Sequence, residues 1–116
     1  MKTVRIILSP VAEEVYKKLN SEAESNKQSR MILKAVNNKI DLIKSNIHYG
    51  NPIAKNLIPT EYKIKYGTTN LFRVELPAFW RMLYTLTNNE EIEIIAFVLD
   101  IVSHPTYDEK FGYKKI

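Results

Sequence analysis

Near residue 50 the spacing of apolar residues changes from helical to alternating, and this switch limits the chain to folds that lay helices on a sheet. Before it, Val11, Val15 and Leu19 recur every four residues with Glu13, Glu14, Lys17 and Lys18 between them. Ile32, Val36, Ile40, Ile43 and Ile47 continue at helical spacing. After it, Phe72, Val74 and Leu76 alternate with Leu71, Arg73 and Glu75. The 116 residues are one domain's worth of chain, so residues 1–116 are read as a single domain with one core.

Local signals divide the chain further. Thr3 to Leu8 is a β-branched run and reads as a strand. Ser9-Pro10 starts a helix, with serine as cap and proline at the first helical position, and that helix runs to about Asn20. The polar stretch from Asn20 to Asn26 extends it or loops out, and Ser25 or Ser29 caps a second helix that Gly50-Asn51-Pro52 ends. Residues 51–61 read as a connecting loop, and Tyr62 to Tyr66 as a short strand or extended arm. Strands follow over Asn70–Leu76 and Phe79–Thr87, with Pro77-Ala78 as a turn and Asn88-Asn89 as a hairpin signal. Ile92 to Val102 is nearly all apolar, which suits a strand covered on both faces. The expected architecture is α+β: an N-terminal strand, an αα hairpin, then an antiparallel meander with the helices on one face of the sheet. The aromatic tail from Ser103 to Ile116 is expected to dock back on that sheet.

Composition narrows the function classes. Apolar residues at 45% and charged residues at 26% provide a core and argue against disorder. No run of about 18 apolar residues is available to span a membrane, and the first twenty residues hold no secretory signal, so the expectation is a cytoplasmic protein without membrane contact. Zero cysteines remove disulfides, thiolate nucleophiles and cysteine-ligated zinc. Three glycines form no phosphate-cradling loop, and two histidines fit no zinc spacing, so neither metal nor cofactor is expected.

The net charge of +4, with a pI near 9.2, marks a candidate for binding an anionic polymer. It is unevenly spread: residues 90–109 hold six acidic and no basic residues. Lysines outnumber arginines thirteen to four, which makes each arginine worth locating. Arg73 and Arg81 fall on adjacent meander strands, and guanidinium forks match phosphate geometry. Lys63 and Lys65, if extended, point to one side with Tyr62 and Tyr66 flanking them. His104 follows the apolar strand, and a histidine near its ordinary pKa moves protons at neutral pH. Each has an ordinary structural counterpart: solvated strand lysines, Arg73 paired with Glu75 or another glutamate, His104 turning the chain before Pro105, and Trp80 and Tyr84 in the core.

The segments Tyr62-Lys-Ile-Lys65, Phe72-Arg-Val-Glu-Leu76, Trp80-Arg-Met-Leu-Tyr84 and His104-Pro-Thr-Tyr-Asp108, in this order around the apolar strand, resemble the RelE/ParE superfamily of type II toxin–antitoxin toxins. The resemblance covers nearly the whole chain as topology, and WRMLY, similar to the superfamily's aromatic–Arg–x–x–Tyr strand, carries it best. The RelE-like branch implies a metal-independent endoribonuclease, an mRNA interferase that cleaves at the ribosome through attack of a 2′-hydroxyl. By that resemblance Arg81, Arg73, His104 and Tyr107 are the catalytic set, and Lys55, Lys63, Lys65 and Tyr113 contact RNA. Tyr113 is also an alternative to Tyr107 as the terminal aromatic. The implied partners are a cognate antitoxin, mRNA and the ribosome. The sequence departs from the pattern at Glu75, where a second basic residue would be expected, and at Pro105, where many relatives place another. Two other readings use the same scaffold: a RelE-like module that binds RNA or protein without cutting, and a ParE-type gyrase inhibitor with no need of His104.

Overall fold

Ser9 and Pro10 start a helix as the sequence dictates. Ser9 is extended and its hydroxyl accepts the Ala12 N–H at 3.0 Å, while Pro10 occupies the first turn, where no N–H is required. The helix, α1, spans Pro10–Glu22 and follows strand β1, Thr3–Leu8. The second helix, α2, spans Lys27–Ser45. Its cap is Asn26 rather than Ser25 or Ser29: the Asn26 side chain accepts the Ser29 N–H at 3.0 Å, and the Ser29 hydroxyl donates instead to Glu22 at 3.1 Å. It closes before Ile47, because Asn46 turns extended and accepts the His48 N–H on its own side chain.

The computed structural model describes residues 3–89 and 93–112; the side chains of Thr3, of residues 88–99 and of His104 lie outside that description. Among the described residues the sheet has five strands in the order β1-β5-β4-β3-β2, where β2 is Asn51–Pro52, β3 is Phe72–Glu75, β4 is Arg81–Asn89 and β5 is Glu93–Val102. The strands from β2 onward pair antiparallel, and β1 adds to the sheet parallel to β5. The apolar strand β5 is therefore central, as its composition requires, and its end is buried on both faces, with Ile101 in one cluster and Val102 in the other. Asn88 and Asn89, expected to make the hairpin turn, belong instead to β4, opposite Ile94 and Glu93; residues 90–92 lie outside the described residues.

The αα hairpin packs on one face. Ala12 and Leu19 of α1 and Ile32, Val36 and Ile43 of α2 meet Phe72, Val74, Met82, Tyr84 and Ile101 of the sheet. The opposite face carries two shorter helices. Tyr62 to Tyr66 is neither strand nor arm but most of helix α3, Thr60–Tyr66. Pro59 precedes it, Gly67 closes it at φ 62 with its N–H on the Lys63 carbonyl, and Tyr62 is buried beneath it. Residues 51–61 are correspondingly more structured than a loop, with β2, a 3-10 turn over Lys55–Leu57 and the start of α3. The tail docks back as expected, through helix α4, His104–Phe111, whose Tyr107 joins Ile58, Tyr62, Leu71, Leu83 and Val102 in a second cluster. No helix among the described residues is long and apolar enough to cross a membrane.

Tyr84 joins the helical layer to the sheet edge. It is fully buried, stacks on Phe72 at 5.1 Å between ring centroids, donates its hydroxyl to the Ile47 carbonyl at 2.8 Å and accepts the Gly50 N–H at 3.0 Å. Burial raises its pKa, and the Gly50 N–H pulls the other way. A Cβ on Gly50 would lie 2.9 Å from Tyr84 Cε1 and 3.1 Å from the Arg73 carbonyl oxygen. Gly50→Ala is therefore expected to destabilise the fold by roughly 1–3 kcal/mol in urea denaturation, the usual range for forcing extra volume into a packed site. An unchanged midpoint would show that this close approach is not required.

Candidate functional site

Strand register decides which side chains meet. Glu75 stands opposite Arg81, Arg73 opposite Leu83, Arg81 opposite Val102 and Leu83 opposite Asp100. Paired residues share a face, so Arg73, Glu75, Arg81 and Asp100 all lie on the side away from the αα hairpin. Helix α4 then crosses this face and inserts Tyr107, which is 3% exposed.

The result is one cluster. Arg73 Nη1 donates to the Tyr107 hydroxyl at 3.2 Å, and the Tyr107 ring centroid lies 5.9 Å from Arg73 Cζ and 5.2 Å from Arg81 Cζ. Glu75 bridges the two guanidinia, with Oε1 3.2 Å from Arg73 Nε and Oε2 3.2 Å from Arg81 Nε. Arg81 Nη1 also donates to the Phe79 carbonyl at 2.7 Å. Two cations on one carboxylate leave a positive surplus, and each guanidinium plane is held on more than one side. The Arg81 side chain is 13% exposed and that of Arg73 33%, whereas Glu75 is 54% exposed. The accessible, replaceable member of the cluster is thus the anion. An incoming phosphate would meet donors already oriented.

A second network fixes α4 in place. The Tyr62 hydroxyl donates to the buried Asp100 at 2.9 Å, and Lys110 of α4 reaches Asp100 at 3.5 Å and both oxygens of Glu61 at 3.1 and 3.2 Å. Burial first, then the adjacent Asp100 charge, push the Tyr62 phenol well above its ordinary value. Burial pulls Lys110 down, but the Glu61 hydrogen bond and the Asp100 charge outweigh it and its pKa rises. Sequence reading missed Asp100, although one signal was present: it is the single charged residue between Ile94 and Val102.

The expected site residues divide into three groups. Arg73, Arg81 and Tyr107 come together. His104 begins α4 just after Val102, the partner of Arg81, but its side chain lies outside the described residues, as does all of Tyr113. Lys63 and Lys65 do not share a side, because they sit on helix α3, where residues two apart diverge by about 200°. Lys65 lies 5.5 Å from the Tyr66 ring, and Lys55 is exposed in the 3-10 turn. A shallow cavity of about 240 Å³ adjoins the cluster and adds Lys39 and Tyr49 to Arg73 and Glu75; Lys39 was not anticipated. A larger apolar cavity, about 830 Å³, lies between β1 and α1 against Ile6, Leu8 and Tyr16. The arginine cluster is the better candidate despite its smaller cavity, because fixed charged donors converge there. Among the described residues no three His, Asp or Glu side chains are grouped to hold a metal ion. The chain matches no family model and no curated protein.

The Tyr62 network makes stability depend on alkaline pH. Tyr62 stays neutral in the fold, so its contribution is complete below its ordinary value of 10.0 and is lost as pH rises beyond it. Lys110 acts in the same direction from its ordinary 10.5. The urea midpoint is expected to fall as pH rises above about 10. Tyr62→Phe should lower stability by about 1–3 kcal/mol at pH 7, leaving Lys110 as the remaining partner of Asp100, and make the alkaline fall shallower. An equally steep fall in the variant would remove Tyr62 from this role.

Proposed function

We propose that this chain is a RelE-like toxin ribonuclease that cleaves single-stranded mRNA without a metal ion. The observation that carries the reading is the convergence of Arg73 and Arg81, from neighbouring strands, around Tyr107 and the exposed Glu75. In the reaction a ribose 2′-oxygen attacks the adjacent phosphorus, a P–O bond forms, and the bond to the 5′-oxygen of the next nucleotide breaks. The 2′-hydroxyl proton passes to a base, the leaving oxygen takes up a proton, and the products are a cyclic phosphate and a free 5′-hydroxyl. The two guanidinia would displace Glu75 onto solvent and hold the extra charge of the pentacoordinate state. Tyr107 fixes their planes, and His104, at the start of α4, is the candidate for one proton transfer. Lys55, Lys63 and Lys65 would contact flanking RNA phosphates. This reading puts the chain in the cytoplasm, with the ribosome and an antitoxin as partners.

A second reading is favoured by Glu75 itself. A carboxylate shared by both arginines already satisfies part of their charge, as expected of a module that binds RNA or a protein acid without cutting. Induced expression with primer-extension mapping separates the possibilities. Growth arrest with cut transcripts is expected, and Arg73→Ala and Arg81→Ala, checked for folding by thermal melting, should each reduce cutting by about 10²–10³-fold. Intact transcripts without arrest would favour the binding module, and intact transcripts with disturbed DNA supercoiling a gyrase inhibitor. Either result overturns the ribonuclease reading.

A further inference from the structure

The turn between β3 and β4 is made of the wrong residues for its shape. Trp80 N–H donates to the Pro77 carbonyl at 3.2 Å and Leu76 N–H to the Trp80 carbonyl at 2.9 Å, closing a tight turn over Ala78 and Phe79. Ala78 sits at φ 58, ψ 32 and Phe79 at φ 62, both left-handed. A turn with two left-handed residues is ordinarily built from Asn-Gly or Gly-Gly, because a Cβ there crowds the backbone. A bulky aromatic in that region is a clear outlier. Burial does not repay it, since Phe79 is 72% exposed.

Strain of this kind accumulates where a ligand is gripped. Here its position is telling: the carbonyl of Phe79 is the acceptor for Arg81 Nη1, so the strained residue is tied directly to one of the two guanidinia. A phosphodiester held by Arg73 and Arg81 carries a base on each side. An exposed aromatic ring on the residue bonded to that cation supplies the complementary surface for an unpaired base. Phosphate forks beside a stacking ring fit a single-stranded nucleotide better than they fit an acidic peptide, which offers the charge but no flat base.

We propose that Phe79 is the base-stacking residue of this site, held in a strained turn so that a nucleobase of single-stranded RNA stacks on its ring while Arg73 and Arg81 hold the neighbouring phosphate. The proposal deepens the RNA reading above and rests on it. The test uses the full chain and an uncleavable 2′-O-methyl oligoribonucleotide carrying 2-aminopurine, beside the same strand with abasic positions, read by anisotropy and fluorescence quenching. Wild type is expected to bind the base-containing strand more tightly and to quench it. Phe79→Ala should weaken that binding by about five- to a hundredfold and abolish quenching, while binding of the abasic strand stays unchanged. Phe79→Trp should retain both signals. Phe79→Gly should lose binding as the alanine variant does, yet raise the unfolding midpoint, a combination that general misfolding cannot give. If wild type binds and quenches but Phe79→Ala does so equally, the stacking role is overturned and the RNA reading stands. If wild type binds neither strand, the RNA reading fails and the stacking role with it.

Discussion

The register of β3 against β4 is the constraint on which the rest depends. With Glu75 opposite Arg81 and Phe72 opposite Tyr84, the apolar set faces the helices and the charged set faces away. A slip of β3 by one residue would reverse its side chains, placing Arg73 in the helical core and separating Phe72 from Tyr84. Several contacts prevent it. The Asn70 side chain accepts from the Leu86 N–H at 2.8 Å and the Thr85 hydroxyl at 3.1 Å and donates to the Leu86 carbonyl at 3.0 Å, extending the pairing beyond the last ladder residue. Tyr84 is pinned from the other side by Gly50 and Ile47. The turn at Ala78 and Phe79 closes the far end.

Register also fails in one place, to structural effect. Between Leu83 and Tyr84 the pairing with β5 shifts, so that Leu83 faces Asp100 while Tyr84 faces Val98. The bulge leaves Asp100 beneath Tyr62 and within reach of Lys110. A buried carboxylate needs such partners, since burial alone would strongly disfavour its charge. The same partners belong to α3 and α4, so the network that accommodates Asp100 also positions Tyr107 between the arginines. The two faces of the sheet thus have different tasks. One is closed by apolar packing, and the other combines a smaller apolar cluster with hydrogen bonds and leaves the Arg73–Glu75–Arg81 cluster at its rim.

Much of this was legible in the sequence. β1, the Ser9 cap, the two helical stripes, the meander order and the placing of Arg73 and Arg81 on adjacent strands follow from residue type and spacing, whereas their shared side is set by the register. The failures have particular causes. Tyr62-Lys-Ile-Lys-Tyr66 alternates, yet the same five residues put Tyr62 and Tyr66 one helical turn apart, and five residues are too few for period to choose. The deciding signals lay outside the window, in Pro59 before it and Gly67 after it. Ser25, Asn26 and Ser29 compete for one cap, and only the loop geometry selects Asn26. Pro77-Ala78 signals a turn, but Phe79, expected to begin the strand, belongs to that turn, and the left-handed backbone of Ala78 and Phe79 is hidden because neither residue prefers that conformation.

Charge also works differently at the two length scales. The excess of +4 belongs to the chain as a whole, and much of it comes from lysines outside the arginine cluster. Beyond about 10 Å such charges are screened at ordinary salt, so they raise encounter rates with any polyanion and select none. Around the arginines the arithmetic is nearly balanced: Glu75 offsets one of two guanidinia, and Asp100 and Glu61 offset Lys110. Attraction at contact therefore depends on replacing Glu75 with a ligand that uses the same oriented donors better than a carboxylate does. A phosphodiester would engage the planar fork of each arginine as a carboxylate does, and would offer two oxygens to share between them. Any discrimination among anions at this cluster would therefore reside in geometry set by strand register and Tyr107, and the basic pI would govern only how often a polyanion arrives.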